Sequence, residues 1–106
     1  MENDGMVIGV SLVDAVVVVT VAGELDAVSS PRLKASLADM EPSDRVVLEM
    51  VGVEFIDSTG LRVILDRAMQ MCDSGGSLRI RSASAQLHRL LHLTKLDGLL
   101  ERDAAA

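Results

Sequence analysis

The chain has 106 residues, 49% of them hydrophobic and 25% charged, which predicts one folded domain over residues 1–106 with a flexible tail at about residues 103–106. A net charge of −6 and a single aromatic residue, Phe55, argue against nucleic-acid binding, because acidic chains repel phosphates and bases stack on rings. No apolar run reaches the ~20 residues of a membrane span, the N-terminus lacks the basic start of a signal peptide, and Cys72 has no disulfide partner, so we expect a cytoplasmic protein without membrane association.

The first third of the chain predicts a β-hairpin. Large residues at the even positions from Met6 to Leu12 favour a strand with one well-buried face. Val13 and Asp14 are expected to turn the chain. Residues 16–21 form a nearly continuous β-branched run, which is typical of a strand covered on both faces.

A short helix follows the hairpin. Gly23 is expected to end the second strand and residues 24–26 to form a loop. Ser29 or Ser30 can cap the helix, and Pro31 suits its first turn. Its apolar stripe consists of Leu33, Leu37 and Met40.

The middle of the chain predicts a strand and a long helix. Residues 45–51 form an apolar strand, and residues 52–57 are expected to connect it to a helix over about residues 58–73. Placed at about 100° per residue, the apolar positions of this helix share one face. They are Leu61, Ile64, Leu65, Ala68, Met71 and Cys72. Cys72 is therefore expected to be a buried apolar residue, and Gly75–Gly76 to stop the helix.

The last third predicts a half-exposed strand and a third helix. Residues 78–81 alternate in polarity, and the polar half, Arg79 and Arg81, argues against association through the sheet edge. Ser84 can cap a helix with apolar residues Leu87, Leu90 and Leu91. Residues 96–101 fit a short strand or a helical turn. The order β-β-α-β-α-β-α predicts an α/β fold, a small mixed sheet of about four to five strands with helices packed on it.

The start of the long helix is unusually polar. Asp57, Ser58 and Thr59 offer more groups than one N-cap requires, although a cap is the simplest interpretation. Gly60 costs up to about 1 kcal/mol inside a helix, which suits a site that another chain must approach closely. Val63 lies away from the apolar stripe and is expected to be exposed beside Ser58. These features favour a docking surface.

Three motifs in order resemble one protein family. They are Gly-Glu-Leu-Asp at residues 23–26, a Ser-Pro-Arg-Leu helix start at residues 30–33, and Phe-Ile-Asp-Ser-Thr-Gly-Leu at residues 55–61. The chain is similar over nearly its whole length to the anti-sigma factor antagonists, which are single STAS domains. The resemblance implies a STAS-like fold and a regulator rather than an enzyme, with no catalytic residues, cofactor or metal.

The resemblance also implies a mechanism of partner switching. The domain would bind an anti-sigma factor that is also a serine kinase, and the sigma factor would be released. Phosphorylation of Ser58 by that kinase would switch the domain off, and a PP2C-type phosphatase acting on phospho-Ser58 would restore it. The implied partner-binding residues are Asp26, Asp57, Thr59, Gly60, Arg62 and Val63. Arg62 departs from the family pattern, in which a small residue is common, and is expected to affect partner choice.

Other readings stay open on the sequence alone. A non-switching STAS scaffold subunit of a sensory or transporter-associated complex would share the fold. An esterase-like enzyme using Ser58 would need a base, and no histidine or lysine lies near it in sequence. His88 and His92 have a spacing that suits a metal, but no third ligand is evident, so we expect exposed polar residues.

Overall fold

The computed structural model describes residues 4–101 and shows a four-stranded mixed sheet with helices packed on it. In chain order the elements are β1 (Met6–Val13), β2 (Val16–Leu25), α1 (Ser30–Ala38), β3 (Arg45–Ile56), α2 (Ser58–Asp73), β4 (Ser77–Arg81), α3 (Ala85–Leu93) and a 3₁₀ turn (Asp97–Leu99). The strand order is β1-β2-β3-β4, with β1 antiparallel to β2 and the other neighbours parallel. The predicted α/β architecture is confirmed; the expected tail at residues 103–106 lies outside the described residues.

The opening hairpin turns one residue later than predicted. Val13 pairs with Val16, and the turn consists of Asp14 and Ala15, whose φ angles are 50° and 66°. Positive φ at both central residues is the geometry of a type I′ turn, whose twist matches that of two antiparallel strands.

β1 lies at the edge of the sheet, and its core-facing side is covered only in the first half of the strand. Met6 is 6% exposed and Ile8 packs against the core, whereas Val10 and Leu12 are 59% and 72% exposed. The prediction of one well-buried face along the whole strand is wrong, because the core beneath β1 ends near Ile8.

β2 is covered on one face rather than on both. Val19 and Val21 are buried, but Thr20 between them is exposed and pairs with Gly9 and Glu49 on the open face of the sheet. The β-branched run therefore reflects strand propensity and not burial on two faces.

β2 also continues past the residue expected to end it. Gly23 has a φ of 95°, and a Cβ atom there would lie 2.0 Å from the carbonyl oxygen of Gly5, so this position needs glycine while the pairing goes on. Glu24 and Leu25 belong to the strand and not to a loop, and Leu25 is fully buried.

β3 is longer than the predicted strand over residues 45–51. Two register shifts relative to β2, before Gly52 and before Phe55, add residues to β3 without ending its pairing, which continues to Ile56. Such bulges interrupt the two-residue period of a strand. That interruption is why residues 52–57 resemble a connection in the sequence.

One core lies between the sheet and the helices, and α2 supplies much of it. The largest fully buried side chains of this core are Leu25, Leu33, Leu37, Leu48, Met50, Ile64, Met71, Leu78, Ile80, Leu87 and Leu91. The buried face of α2 is rotated by about 30° toward Gly60 relative to the predicted stripe. As a result Leu65 is half-buried, and Cys72, predicted to be buried, is exposed.

The later elements follow the predictions closely. Gly75 has a φ of 84°, and the amide of Gly76 donates to Met71 O at 2.8 Å, which ends α2. Ser84 Oγ accepts from the Leu87 amide at 3.1 Å and caps α3. After the 3₁₀ turn, Leu100 forms a parallel bridge with Ile80 of β4. Residues 96–101 therefore contain both a helical turn and a strand-like bridge, the two structures that the sequence left open for them.

Candidate partner-binding surface

The ends of two parallel strands fix the start of α2. Leu25 at the end of β2 pairs with Ile56 at the end of β3. The amide of Asp57 then donates to Leu25 O at 3.1 Å, so the chain leaving β3 stays attached to β2. The first turn of α2 therefore lies beside the loop that connects β2 to α1.

Asp57, and not Ser58, caps α2. Its backbone is extended, and its Oδ1 accepts from the Gly60 amide at 3.0 Å. This bond satisfies one of the amides that a helix start leaves without an intrahelical partner. Because Asp57 supplies the cap, the Ser58 hydroxyl is not required for it, and the side chains of Ser58 and Thr59 are exposed.

Gly60 has a different role from the one the sequence suggested. It is buried, and a Cβ atom at this position would lie 2.7 Å from Leu25 Cγ and 2.8 Å from Leu25 O. The expectation that glycine clears space here for another chain is therefore wrong. The close approach is internal, between the first turn of α2 and the end of β2.

The carboxylate of Asp26 orders the loop before α1. Its Oδ1 accepts from the amides of Val28 and Ser29 at 3.0 and 3.1 Å. Its carbonyl oxygen accepts from the Ser30 amide at 2.8 Å, and Ser29 and Ser30 are buried. Asp26 is half-buried, so it shapes this loop as well as lining its surface.

Sequence reasoning missed an exposed apolar residue on the same loop. Val28 is 74% exposed, and it lies two residues after Asp26. The sequence feature that could have indicated this exposure is a valine between Ala27 and Ser29 that belongs to no periodic apolar pattern. Its exposure adds an apolar contact point to the loop beside the start of α2.

A groove of about 690 Å³ runs between α1 and α2, with Ser58 among its lining residues. α1 contributes Lys34, Leu37 and Ala38, and α2 contributes Ser58, Thr59, Arg62, Val63, Asp66, Arg67 and Gln70. Val63 is half-buried and packs against the core, so the prediction that it is exposed is wrong. The sequence did not show that α1 faces this part of α2, and Lys34 was missed for that reason.

Both signs of charge line the groove. Arg62 Nε lies 3.1 Å from Asp66 Oδ1, and the two side chains are 74% and 58% exposed, so their pairing is weak and readily exchanged. Arg67 is held differently: its guanidinium donates to Met40 O at 2.6 Å, while its Nε is buried without a hydrogen-bond partner in the described chain. Of the two arginines, Arg62 therefore has the greater freedom to meet a partner.

The structure also bears on the possible metal site at the two histidines and on membrane association. His88 and His92 are exposed on α3, and residues 4–101 contain no cluster of three His, Cys, Asp or Glu side chains suited to a metal. No helix in that same part of the chain has the length and hydrophobicity needed to cross a membrane.

Comparison with known families identifies the fold. Residues 8–101 match the family described as "Mlab, STAS domain". The chain belongs to the STAS domain family. The predicted resemblance and the STAS-like architecture are thereby confirmed.

The individual proteins that the chain resembles include several anti-sigma factor antagonists. The chain is 32% identical over 87 residues to an anti-sigma-B factor antagonist of Bacillus subtilis, covering 81% of this chain and 80% of that protein. A crystal structure of an anti-sigma factor antagonist from Mycobacterium paratuberculosis superimposes with a TM-score of 0.77 at 29% identity, covering 93% of this chain and 86% of the other. The Bacillus cell fate determinant SpoIIAA in its phosphorylated form shares the fold, with a TM-score of 0.73 at 16% identity over 92% of each chain. The prediction of a regulator rather than an enzyme agrees with the names of these antagonists.

Proposed function

We propose that this chain is an anti-sigma factor antagonist that acts in the cytoplasm and is switched off by phosphorylation of Ser58. The observation that carries the proposal is that different residues cap α2 and present a hydroxyl at its start. Asp57 caps the helix through the Gly60 amide, while Ser58 is exposed beside it. Ser58 is thus accessible to another protein, and its modification leaves the cap in place.

The proposed partner is an anti-sigma factor that is also a serine kinase. Thr59 and Arg62 are exposed near Ser58 and would contact the partner directly. Val63 would contribute through the groove between α1 and α2. Asp26, Asp57 and Gly60 would act by shaping this surface, because their polar groups or packing are committed within the chain.

The charge of a phosphate explains how the switch would work. Phosphorylation adds about −1.5 to −2 charges at pH 7, and a helix N-terminus favours such charge by roughly 0.3–2 kcal/mol. The fold should therefore tolerate the modification, in keeping with the phosphorylated neighbour of the same fold. At an interface the phosphate must be desolvated, which costs on the order of 3 kcal/mol or more unless the partner supplies countercharge. Since each 1.4 kcal/mol changes the dissociation constant tenfold, phosphorylation should weaken binding about 100-fold.

Phosphate transfer with candidate kinases tests the proposal. The purified chain is incubated with candidate anti-sigma kinases and ATP, and the modified residue is mapped by mass spectrometry. We expect phosphate at Ser58, none in Ser58→Ala, and unchanged mapping in Thr59→Ala. A PP2C-type phosphatase should remove the phosphate and restore binding.

Binding measurements separate switching from a scaffold role. Ser58→Ala should bind the kinase partner, whereas Ser58→Asp should bind at least tenfold more weakly. Ser74→Asp is the matched control, because it adds the same charge at the exposed far end of α2. Binding by Ser58→Asp as tight as wild type would refute the electrostatic switch. Partner binding without phosphorylation by any candidate kinase would instead favour a non-switching scaffold subunit.

A further inference from the structure

We propose that two copies of this chain associate by pairing their β1 strands antiparallel, which doubles the four-stranded sheet. The proposal is independent of the function of Ser58. It starts from the position of β1, which ends the strand order and has β2 on one side only. The outer side of an edge strand presents backbone N–H and C=O groups that can pair with another strand.

From Val7 to Val13, β1 lacks the features that usually protect an edge strand. Residues 6–13 contain no charged residue and no proline, and β1 pairs with β2 without a bulge. Four large side chains of β1 are strongly exposed: Val7 at 69%, Val10 at 59%, Leu12 at 72% and Val13 at 53%. A long, regular and apolar edge of this kind favours strand pairing between chains.

The opposite edge of the sheet is protected. Arg81 of β4 forms an ion pair with Glu49 at 2.6 Å, and Leu100 already bridges to Ile80 of β4. The expectation that the arginine-bearing strand opposes edge association concerns β4, and it remains a prediction. It does not apply to β1, which the sequence alone did not identify as the free edge.

The sequence of β1 is self-complementary in one register. A two-fold axis perpendicular to the sheet keeps both cores on the same side, so residues from the same face must lie opposite each other. An axis through Val10 gives the pairs Val10 with Val10, Ile8 with Leu12, Val7 with Val13, and Gly9 with Ser11. Every exposed large side chain of β1 then meets an apolar partner. An axis through Gly9 would instead place Val7 opposite Ser11 and Val13 opposite Gly5.

The N-terminal end of β1 is already engaged within the chain. Arg32 of α1 pairs with Asp4 at 2.8 Å and donates to the carbonyl oxygen of Met6, and the Met6 amide donates to Asp4 Oδ1 at 3.1 Å. Pairing between copies is therefore confined to residues 7–13. It must form against the repulsion between two chains that each carry a net charge of −6.

The proposed dimer is weak. The seven paired residues span only about 24 Å at 3.4 Å per residue, so we expect an interface below the ~1,200 Å² of stable complexes. Dissociation constants near the micromolar range are therefore expected, and the dimer should depend on concentration.

Sedimentation of the full chain tests the association. The average mass should rise from 11.3 kDa toward twice that value as the concentration increases from about 1 µM to about 1 mM. Val10→Lys places two like charges at the axis and should weaken association more than tenfold, and Leu12→Lys should weaken it as well. Val51→Lys, a 75% exposed valine on β3, is the control and should behave as wild type. A monomer throughout this range, or equal effects of the Val10 and Val51 variants, would overturn the proposal.

Disulfide trapping tests the register. With Cys72→Ser as background, Val10→Cys should form a covalent dimer in a glutathione redox buffer, because directly opposed residues meet the distance needs of a disulfide. Gly9→Cys should crosslink far less. Preferential crosslinking through Gly9→Cys, or through neither variant, would contradict pairing about Val10.

Discussion

Replacing Gly60 with alanine tests how the first turn of α2 is held. The added Cβ would lie 2.7 Å from Leu25 Cγ and 2.8 Å from Leu25 O, and the second of these atoms belongs to the backbone of a central strand. Overpacking of this kind costs about 1–3 kcal/mol. Alanine recovers up to about 1 kcal/mol of helix propensity. Because a backbone atom cannot move aside as a flexible side chain can, we expect an overpacking cost in the upper part of its range, about 2–3 kcal/mol, and a net loss of stability for Gly60→Ala of about 1–2 kcal/mol.

Urea unfolding followed by circular dichroism measures this loss without any partner present. Gly98→Ala is the matched control, because nothing lies within 4 Å of a Cβ at that position and stability should change little. If glycine were needed only to admit another chain, Gly60→Ala would be as stable as wild type and defective only in binding. Equal or greater stability of Gly60→Ala would therefore refute the packing argument.

Two further predictions concern the cap of α2 and an ion pair on the sheet. Asp57→Ala removes the bond to the Gly60 amide and should cost about 1 kcal/mol in urea unfolding, whereas a change beyond about 0.5 kcal/mol in Ser58→Ala would contradict the assignment of the cap. Partial burial raises the pKa of Glu49, but hydrogen bonds from Ser82 and Arg81 outweigh it and hold that pKa below its usual value. The ionised carboxylate thus stabilises the fold above about pH 4.5, and this stabilisation is lost as the pH falls. Glu49→Gln should show a shallower loss of stability in acid unfolding titrations, and an unchanged slope would contradict the pairing.

Local patterns predicted the helices well. The bounds of α2 follow from a polar start, a regular apolar stripe and two glycines at its end, all of which are close in sequence. The cap of α3 by Ser84 is likewise a local feature. The strands were harder to delimit, since the bulges before Gly52 and Phe55 break the period on which strand prediction depends.

The surface around Ser58 was predictable in part. Its position on the first turn of α2 follows from sequence, but the neighbours that give each residue its role come from distant segments. Gly60 is packed by Leu25 from β2, and Val63 is partly covered in the groove with α1. Lys34 enters the same groove from α1. Such contacts depend on how the helices pack, which periodicity within one helix does not specify.

The position of Leu25 has a practical consequence for studying this domain. It is fully buried, its carbonyl oxygen accepts from the Asp57 amide, and its side chain lies against Gly60. Its methyl groups are therefore a built-in spectroscopic probe of the first turn of α2. In methyl-labelled protein, a change at Ser58 can be followed from inside the core, without attaching a dye to the surface that a partner would bind.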